Sequence, residues 1–331
     1  MRMVWLGCCL WMTLSLSVSA QELLRISGKT MGSYYAIVID SAGAADPRVL
    51  QDEMERVFAE LNSQMSTWDD TSEISRFNQS TSTDWFAVSQ DLAVVTAEGK
   101  RLHVLTEGAL EITIAPLIEA WGFGRRKTRR VPSDEQITRA LKTMGSQHVE
   151  VRMDPPAIRK SLPEIQISLN ALAPGYAADR IAELLKTRGL KSWVVDVGGE
   201  NRAGEAKASG DQWRLGVESP LGGLHKVLEL TSTSIATSGD YRNFFVIDGQ
   251  RYSHVLNPRT GRPVEDPPAS VSVVHESCMT ADGLATAMMV LGPEKGLAVA
   301  KRAGFDVMFM NVTKDGQLQE QGIGVFLATE E

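Results

Sequence analysis

The chain has 331 residues and a formal net charge of −7, from 34 Lys and Arg against 41 Asp and Glu, a balance that argues against a nucleic-acid-binding surface. With 43% apolar residues it is long enough to bury a sizeable core, as one large domain or two fused halves. Two of its three cysteines, Cys8 and Cys9, fall in an N-terminal leader. Cys278 is then left alone, which excludes an intramolecular disulfide or a multi-cysteine zinc site in the processed chain.

The leader is residues 1–20. Arg2 supplies a positive start, Val4 to Val18 is apolar but too short for a permanent span, and Val18-Ser19-Ala20 offers small residues for cleavage before Gln21. This predicts export from the cytoplasm, into the periplasm if the cell is Gram-negative, and a processed chain of residues 21–331. Lipid attachment at Cys8 or Cys9 is the alternative, although almost no apolar run precedes them. No other stretch is long and apolar enough to cross a membrane.

Leu23 to Asp40 reads as strands around a Met31-Gly32-Ser33 bend. Val49 to Met65 has helical periodicity, with Leu50, Met54, Val57, Phe58 and Leu61 on one face. Ser72 opens a short helical turn, and Ser89 is an N-cap for a long helix running to about Gly108. The run around Arg125-Arg126-Lys127 is a solvated loop. Ser133 and Gln136 form a capping box for a helix ending near Met144. Strands are expected at Val149 to Met153, Glu164 to Leu169, Trp193 to Val197, Trp213 to Glu218, Lys226 to Leu230, Phe244 to Ile247 and Ala269 to Val274. Helices are expected from Gly175 to Arg188, from near Ala281, and from about Pro293 to Ala303. A strand pair, Asp306 to Asn311 and Gly322 to Ala328, closes the chain. Mixed helices and hairpins without a low-complexity linker predict the α+β class in a single domain.

Four stretches carry polar chemistry. Ala109-Leu110-Glu111 precedes a loop with Trp121 and Phe123; its carboxylate could receive the amide of a purine or flavin ring, or the whole could be a helix end over core aromatics. Ser168-Leu169-Asn170-Ala171, running on to Pro174-Gly175, leads with small residues into a helix, so backbone can approach a ligand closely; plain strand–turn–helix packing fits as well. On the helix near Ala281, Asp282 and Thr286 are four apart and share a face. With a nearby carbonyl they make hard oxygen ligands suited to Mg²⁺; alone, Asp282 is also a helix-start carboxylate. Finally, Thr237-Ser238-Gly239-Asp240-Tyr241-Arg242-Asn243 and Tyr252-Ser253-His254 sit close to Pro258-Arg259-Thr260-Gly261-Arg262. Arg242 and Arg259 can pair with phosphate oxygens and His254 can move protons near neutral pH, or these are two solvated turns.

Taken together, from Met31-Gly32-Ser33 to Leu291-Gly292, these segments resemble the ApbE family, the FAD:protein FMN transferases. Further matching stretches are Ser66-Thr67-Trp68, Ser72-Glu73-Ile74-Ser75-Arg76-Phe77-Asn78 and Val195-Asp196-Val197-Gly198-Gly199-Glu200. The resemblance implies a T-fold-like domain of mixed helices and antiparallel sheets. It also implies Mg²⁺-assisted cleavage of FAD, with FMN passing to a Thr or Ser hydroxyl of an exported or membrane-anchored flavoprotein and AMP released. Mapped residue by residue, it implies FAD contacts at Met31, Trp68, Ala109, Leu110, Glu111, Ser168, Pro174, Arg242 and Val255. The metal would be held by Asp282, Thr286 and the Ala171 carbonyl, with His254 beside the transferring phosphoryl group. Three positions depart from the family: Ser168 and Glu111 stand where it usually has Asp, and Pro174 where it more often has Lys or another polar residue. FAD hydrolysis with water as acceptor, or FAD binding with little turnover, remain alternatives on the same residues.

Overall fold

Alternation of side chains along antiparallel strands builds the centre of the molecule, which the computed structural model describes at residues 23–40, 46–125, 128–240 and 244–327. The stretch expected to be a leader, residues 1–20 with Cys8 and Cys9, lies outside these, as do Arg126 and Lys127 of the basic run. In chain order the elements are β1 (Leu24–Thr30), β2 (Ser33–Ile39), α1 (Pro47–Met65), α2 (Glu73–Gln79), β3 (Phe86–Ala87), α3 (Gln90–Leu105), α4 (Ala115–Ala120), α5 (Asp134–Lys142), β4 (Val149–Met153) and β5 (Pro156–Lys160). Then come α6 (Ala173–Thr187), β6 (Trp193–Val197), β7 (Glu200–Ala203), β8 (Trp213–Glu218), β9 (Leu224–Leu230), β10 (Ser234–Gly239), β11 (Phe244–Ile247) and β12 (Gln250–Ser253). The last are β13 (Leu256–Asn257), β14 (Arg262–Pro263), β15 (Ser270–His275), α7 (Cys278–Ala303), β16 (Asp306–Val312) and β17 (Leu318–Ile323).

Eight strands make one antiparallel sheet in the order β1-β2-β6-β7-β10-β15-β16-β17. Its two faces are read directly from the period of two along each strand. Ile37, Val195, Val273, Val307 and Phe309 enter a core shared with α1, α3, α6 and α7. Val194, Ile235, Val274, Met308 and Met310 enter a second core, closed by the β8–β9 ribbon through Trp213, Leu215 and Leu228. A third, smaller cluster joins α4 and α5 to the β11–β12 ribbon through Leu117, Trp121, Ile137 and Phe245.

Local signals set most boundaries. Ser72, Ser89 and Ser133 each cap a helix through the side-chain oxygen, and the Ser133–Gln136 box closes in both directions. The β1–β2 turn has Met31 and Gly32 at φ 50° and 72°, the doubly left-handed turn that matches strand twist. The last two helices are one run, α7, starting at Cys278 and broken at Gly292 (φ 70°, ψ 175°) before Pro293.

The strand expected at Glu164 to Leu169 is absent. Ile165, Ile167 and Leu169 do alternate into the core, each fully buried, but a side chain replaces the neighbouring strand. Asn78 accepts the Ile167 N–H at 2.8 Å and donates to the Ile167 carbonyl at 2.8 Å. Lys160 Nζ donates to the carbonyls of Phe77 (3.2 Å) and Ile165 (3.0 Å), tying the same segment to α2. The closing strand is β17, which ends at Ile323, where the expected one had barely begun.

One carboxylate locks the helix layer. Asp179 on α6 accepts Ser277 Oγ (2.8 Å) and the N–H groups of Cys278 (3.0 Å) and Met279 (3.2 Å), and pairs with Arg202. It satisfies amides that the start of a helix leaves without partners, at the positive end of the helix dipole. Asp179→Ala should lower the unfolding free energy by roughly 2–4 kcal/mol, measured by urea denaturation. Unchanged stability would show that the start of α7 holds itself.

Candidate active site

Three adjoining cavities form a cleft between the helix layer and the loops that follow β10 and β12. The first, of about 240 Å³, is lined by Ala109, Leu110, Glu111, Ser168, Ala171, Ser238, His254, Val255 and Thr286, among others. The second, about 200 Å³, has Trp68, Ser168 and Asn170 in its wall. The third, about 530 Å³, is bounded by Met31, Trp68, Asn170 and Pro174. Asn170 lies in the wall of all three, so the segment that enters α6 is their common floor. The cleft thus brings together residues from the β1–β2 turn, the loops after α1, α3 and β12, and the helices α6 and α7.

Two of the expected residues, Asp282 and Arg259, do not line the main cavity. Asp282 is one helical turn before Thr286 and is buried rather than part of the cavity wall. Arg242 lies outside the described residues. The Arg259 guanidinium donates to the Glu107 carbonyl. It lines a separate cavity with His103 and Glu111 rather than the main one. Its neighbour Arg262 pairs with Asp134, and Trp121 Nε1 donates to the Gly261 carbonyl at 2.8 Å. The Pro258–Pro263 turn therefore braces α4 and α5. Two residues escaped the sequence assignment: Asn170, and Ser238, whose Oγ is 3.4 Å from Thr286 Oγ1. Both sit inside the quoted motifs, but nothing in spacing singles them out from their neighbours.

The α6–α7 crossing governs the oxygen donors. At Gly175 a Cβ would come within 2.5 Å of the Cys278 carbonyl and 2.9 Å of Asp282 Cβ; only glycine lets the helices approach this closely. The Gly175 N–H, in the first turn of α6 where a helix leaves its amides without internal partners, donates to Asp282 Oδ2 at 3.1 Å. Among the described residues, no hydrogen bond is made by the backbone of Asn170 or Ala171. Burial pushes the Asp282 carboxyl up to about 7, the Gly175 N–H only partly opposing it.

Among the described residues no group of three or more His, Cys, Asp and Glu side chains gathers to bind a metal. A buried carboxylate with one amide partner, a hydroxyl one turn along and a carbonyl without a hydrogen bond are instead hard-oxygen donors. Such a set suits a magnesium ion that keeps waters and substrate phosphates as its remaining ligands. The residues present fit such an ion.

Glu111 is placed differently. Its Oε1 accepts Thr113 N (2.8 Å), Thr113 Oγ1 (2.7 Å) and Ser146 Oγ (2.5 Å), and Oε2 accepts Ser146 N at 3.2 Å. His103 Nδ1 lies 3.2 Å from Oε2. Burial acts to raise its pKa, but the bonds from His103, Ser146 and Thr113 outweigh it and hold the carboxyl at about 2. The same pairing raises His103 above its ordinary value. Glu111 lines the main cavity with its carboxylate already engaged within the protein.

His254 follows β12 and faces the main cavity, with Phe123 edge-on to its ring at 6.4 Å between centroids. A cleft with an imidazole, hard-oxygen donors and an apolar wall can hold an extended, phosphate-bearing substrate and transfer a group from it.

The ApbE family model matches residues 31–309. The chain is 42% identical over 300 residues to the FAD:protein FMN transferase of Vibrio cholerae serotype O1, covering 89% of each. It is 34% identical over 317 residues to that of Haemophilus influenzae, covering 92% of each. Among solved structures, the flavin transferase ApbE from Vibrio cholerae superposes with a TM-score of 0.84 at 40% identity, over 92% of this chain and 98% of that one. The apo flavinyl transferase ApbE of Pseudomonas stutzeri gives 0.85 at 36% identity, over 92% and 96%.

The Glu111–His103 pair sets a pH dependence. A carboxyl held near 2 instead of its ordinary 4.5 contributes stability that is present above 4.5 and lost as the pH falls toward 2. His103, raised above 6.5, adds a contribution that is present below 6.5 and lost as the pH rises through its folded value. Glu111→Gln should therefore lower Tm most between about pH 4.5 and 6.5. The deficit should shrink on the acid side and, in part, on the alkaline side. Scanning calorimetry over pH reads this, and a pH-independent deficit would dismiss the ion pair.

Proposed function

The chain belongs to the ApbE family, and from that premise we propose that it transfers FMN from FAD to a Thr or Ser hydroxyl of a protein, with Mg²⁺ as cofactor and AMP as the second product. The supporting observation is the convergence of Ala109 to Glu111, Ser168, Ala171, His254, Val255 and Thr286 on one cavity, continuous through Asn170 with the space beside Met31, Trp68 and Pro174. A dinucleotide is long and needs such a divided cleft.

Asp282, Thr286 and the Ala171 carbonyl would hold the metal. Bound there, Mg²⁺ would supply Lewis-acid neutralisation of charge on the pyrophosphate oxygens. The chain's own residues bind and orient FAD along the cleft, and the apolar wall of Leu110, Ile112 and Leu256 limits access of water. His254 accepts the proton of the acceptor hydroxyl as that oxygen bonds to the FMN phosphorus. The bond from this phosphorus to the bridging oxygen breaks, and AMP leaves with that oxygen.

Export completes the proposal. Arg2, the apolar run to Val18 and the Val18-Ser19-Ala20 site support secretion of a chain beginning at Gln21, to meet an exported or membrane-anchored acceptor. The mass of the protein recovered from a Gram-negative periplasm should begin at Gln21; an intact Met1 would exclude this processing.

The activity is tested with FAD, Mg²⁺ and a bacterial extract lacking its own transferase. Covalent flavin is read by fluorescence in denaturing gels and nucleotides by chromatography. The proposal expects flavin on protein together with AMP; free FMN with AMP would mean hydrolysis, and unchanged FAD would mean binding alone. Asp282→Ala should abolish Mg²⁺-dependent turnover in a folded protein. His254→Ala should slow transfer by about 10²-fold or more, the scale for losing a general base, with little change in FAD affinity. Loss of FAD binding in proportion to rate would make His254 a ligand contact.

A further inference from the structure

We infer that Asp240 and Ser253 form a positioning pair that sets the His254 side chain against the cavity, an inference that rests on His254 being the proton acceptor. Asp240 immediately follows β10, whose Ser238 and Gly239 line the main cavity, and its backbone N–H donates to the Ala269 carbonyl at 3.0 Å. Ser253 ends β12, immediately before His254. Both residues are 4% exposed.

Ser253 Oγ donates to Asp240 Oδ1 and in turn accepts the Val255 N–H at 2.9 Å. The hydroxyl thereby closes a turn around His254, bonded on one side to the carboxylate and on the other to the residue after the histidine. Arg251, also on β12, pairs with Asp240 Oδ2 and donates to the Asp240 carbonyl at 2.7 Å. A buried negative charge thus has its cation and its hydroxyl donor on the same strand.

The geometry has a functional corollary. Two parts of the cavity wall, the end of β10 and the His254–Val255 loop, are far apart in neither sequence nor space, yet among the described residues no backbone ladder joins them directly: β10 pairs with β7 and β15, and β12 with β11. Asp240 and Ser253 supply the link. A hydroxyl at 253 does what a methyl group cannot, because it must both donate and accept.

The test uses the full processed chain, FAD, Mg²⁺ and the transferase-deficient extract. Ser253→Ala should lower kcat by about 10- to 10²-fold, the scale for misplacing a reacting group by about an ångström, with KM for FAD little changed. Ser253→Thr, which keeps the hydroxyl, should restore most of the rate. Asp240→Asn should repeat the Ser253→Ala phenotype and serves if that variant folds poorly. In a His254→Ala background, Ser253→Ala should cause no further loss, since its effect passes through the imidazole. Additive losses in the double variant, a full rate in Ser253→Ala, or a loss that tracks only the unfolded fraction seen by circular dichroism would each overturn the inference. A full rate in His254→Ala alone would instead remove the reading on which it rests.

Discussion

The close crossing of α6 and α7 at Gly175 is the constraint on which the site depends. With no side chain between the helices, the first turn of α6 offers an amide to Asp282 on α7. Asp179, one turn further along α6, fixes the start of α7 from the other side. The direction in which Asp282 and Thr286 point follows from these contacts. A larger residue at position 175 would separate the helices and the oxygen donors with them.

Two buried carboxylates near the cleft show how environment assigns different tasks to the same functional group. Glu111 gathers hydroxyl, amide and imidazole donors and is held near 2, ionised and occupied. Asp282 has one amide and is pushed to about 7. The first is a piece of architecture that already has its counterion. The second is a buried carboxyl with a single hydrogen-bond donor to support its charge.

Much of this was legible from the chain. The Ser caps, the capping box, the Met31-Gly32 turn and the β-branched strands announce themselves because each is decided locally, by a hydrogen bond or by the period of burial. The expected ends of the α6 and α7 helices, Arg188 and Ala303, lie within a residue of the observed ones, where Gly189 and Gly304 take left-handed φ. Part of what failed was non-local. Ser234 to Gly239 is polar and short, yet it lies in the middle of the sheet with a partner on each side. Ile165 to Leu169 has the alternation of a strand but meets a side chain 89 residues away instead of another strand. Residue types named Asp282, Thr286 and His254 as candidates. Only packing separates Arg259, drawn off to the Glu107 carbonyl, from the residues that line the cleft.

The unusual support of the cleft floor has a consequence for variation. Residues 168–171 are anchored by the Asn78 amide at Ile167, by the Ser168 N–H on the Ile112 carbonyl at 2.7 Å, and by the entry into α6. None of these uses the side chain of residue 168 or 170. In a ladder strand, exchanging one residue alters its pairing with neighbours on both sides; here the backbone is held independently of the groups it displays. The residue at position 168 can therefore change without disturbing the scaffold. The floor can change its side chains one residue at a time while the helices beneath it stay fixed.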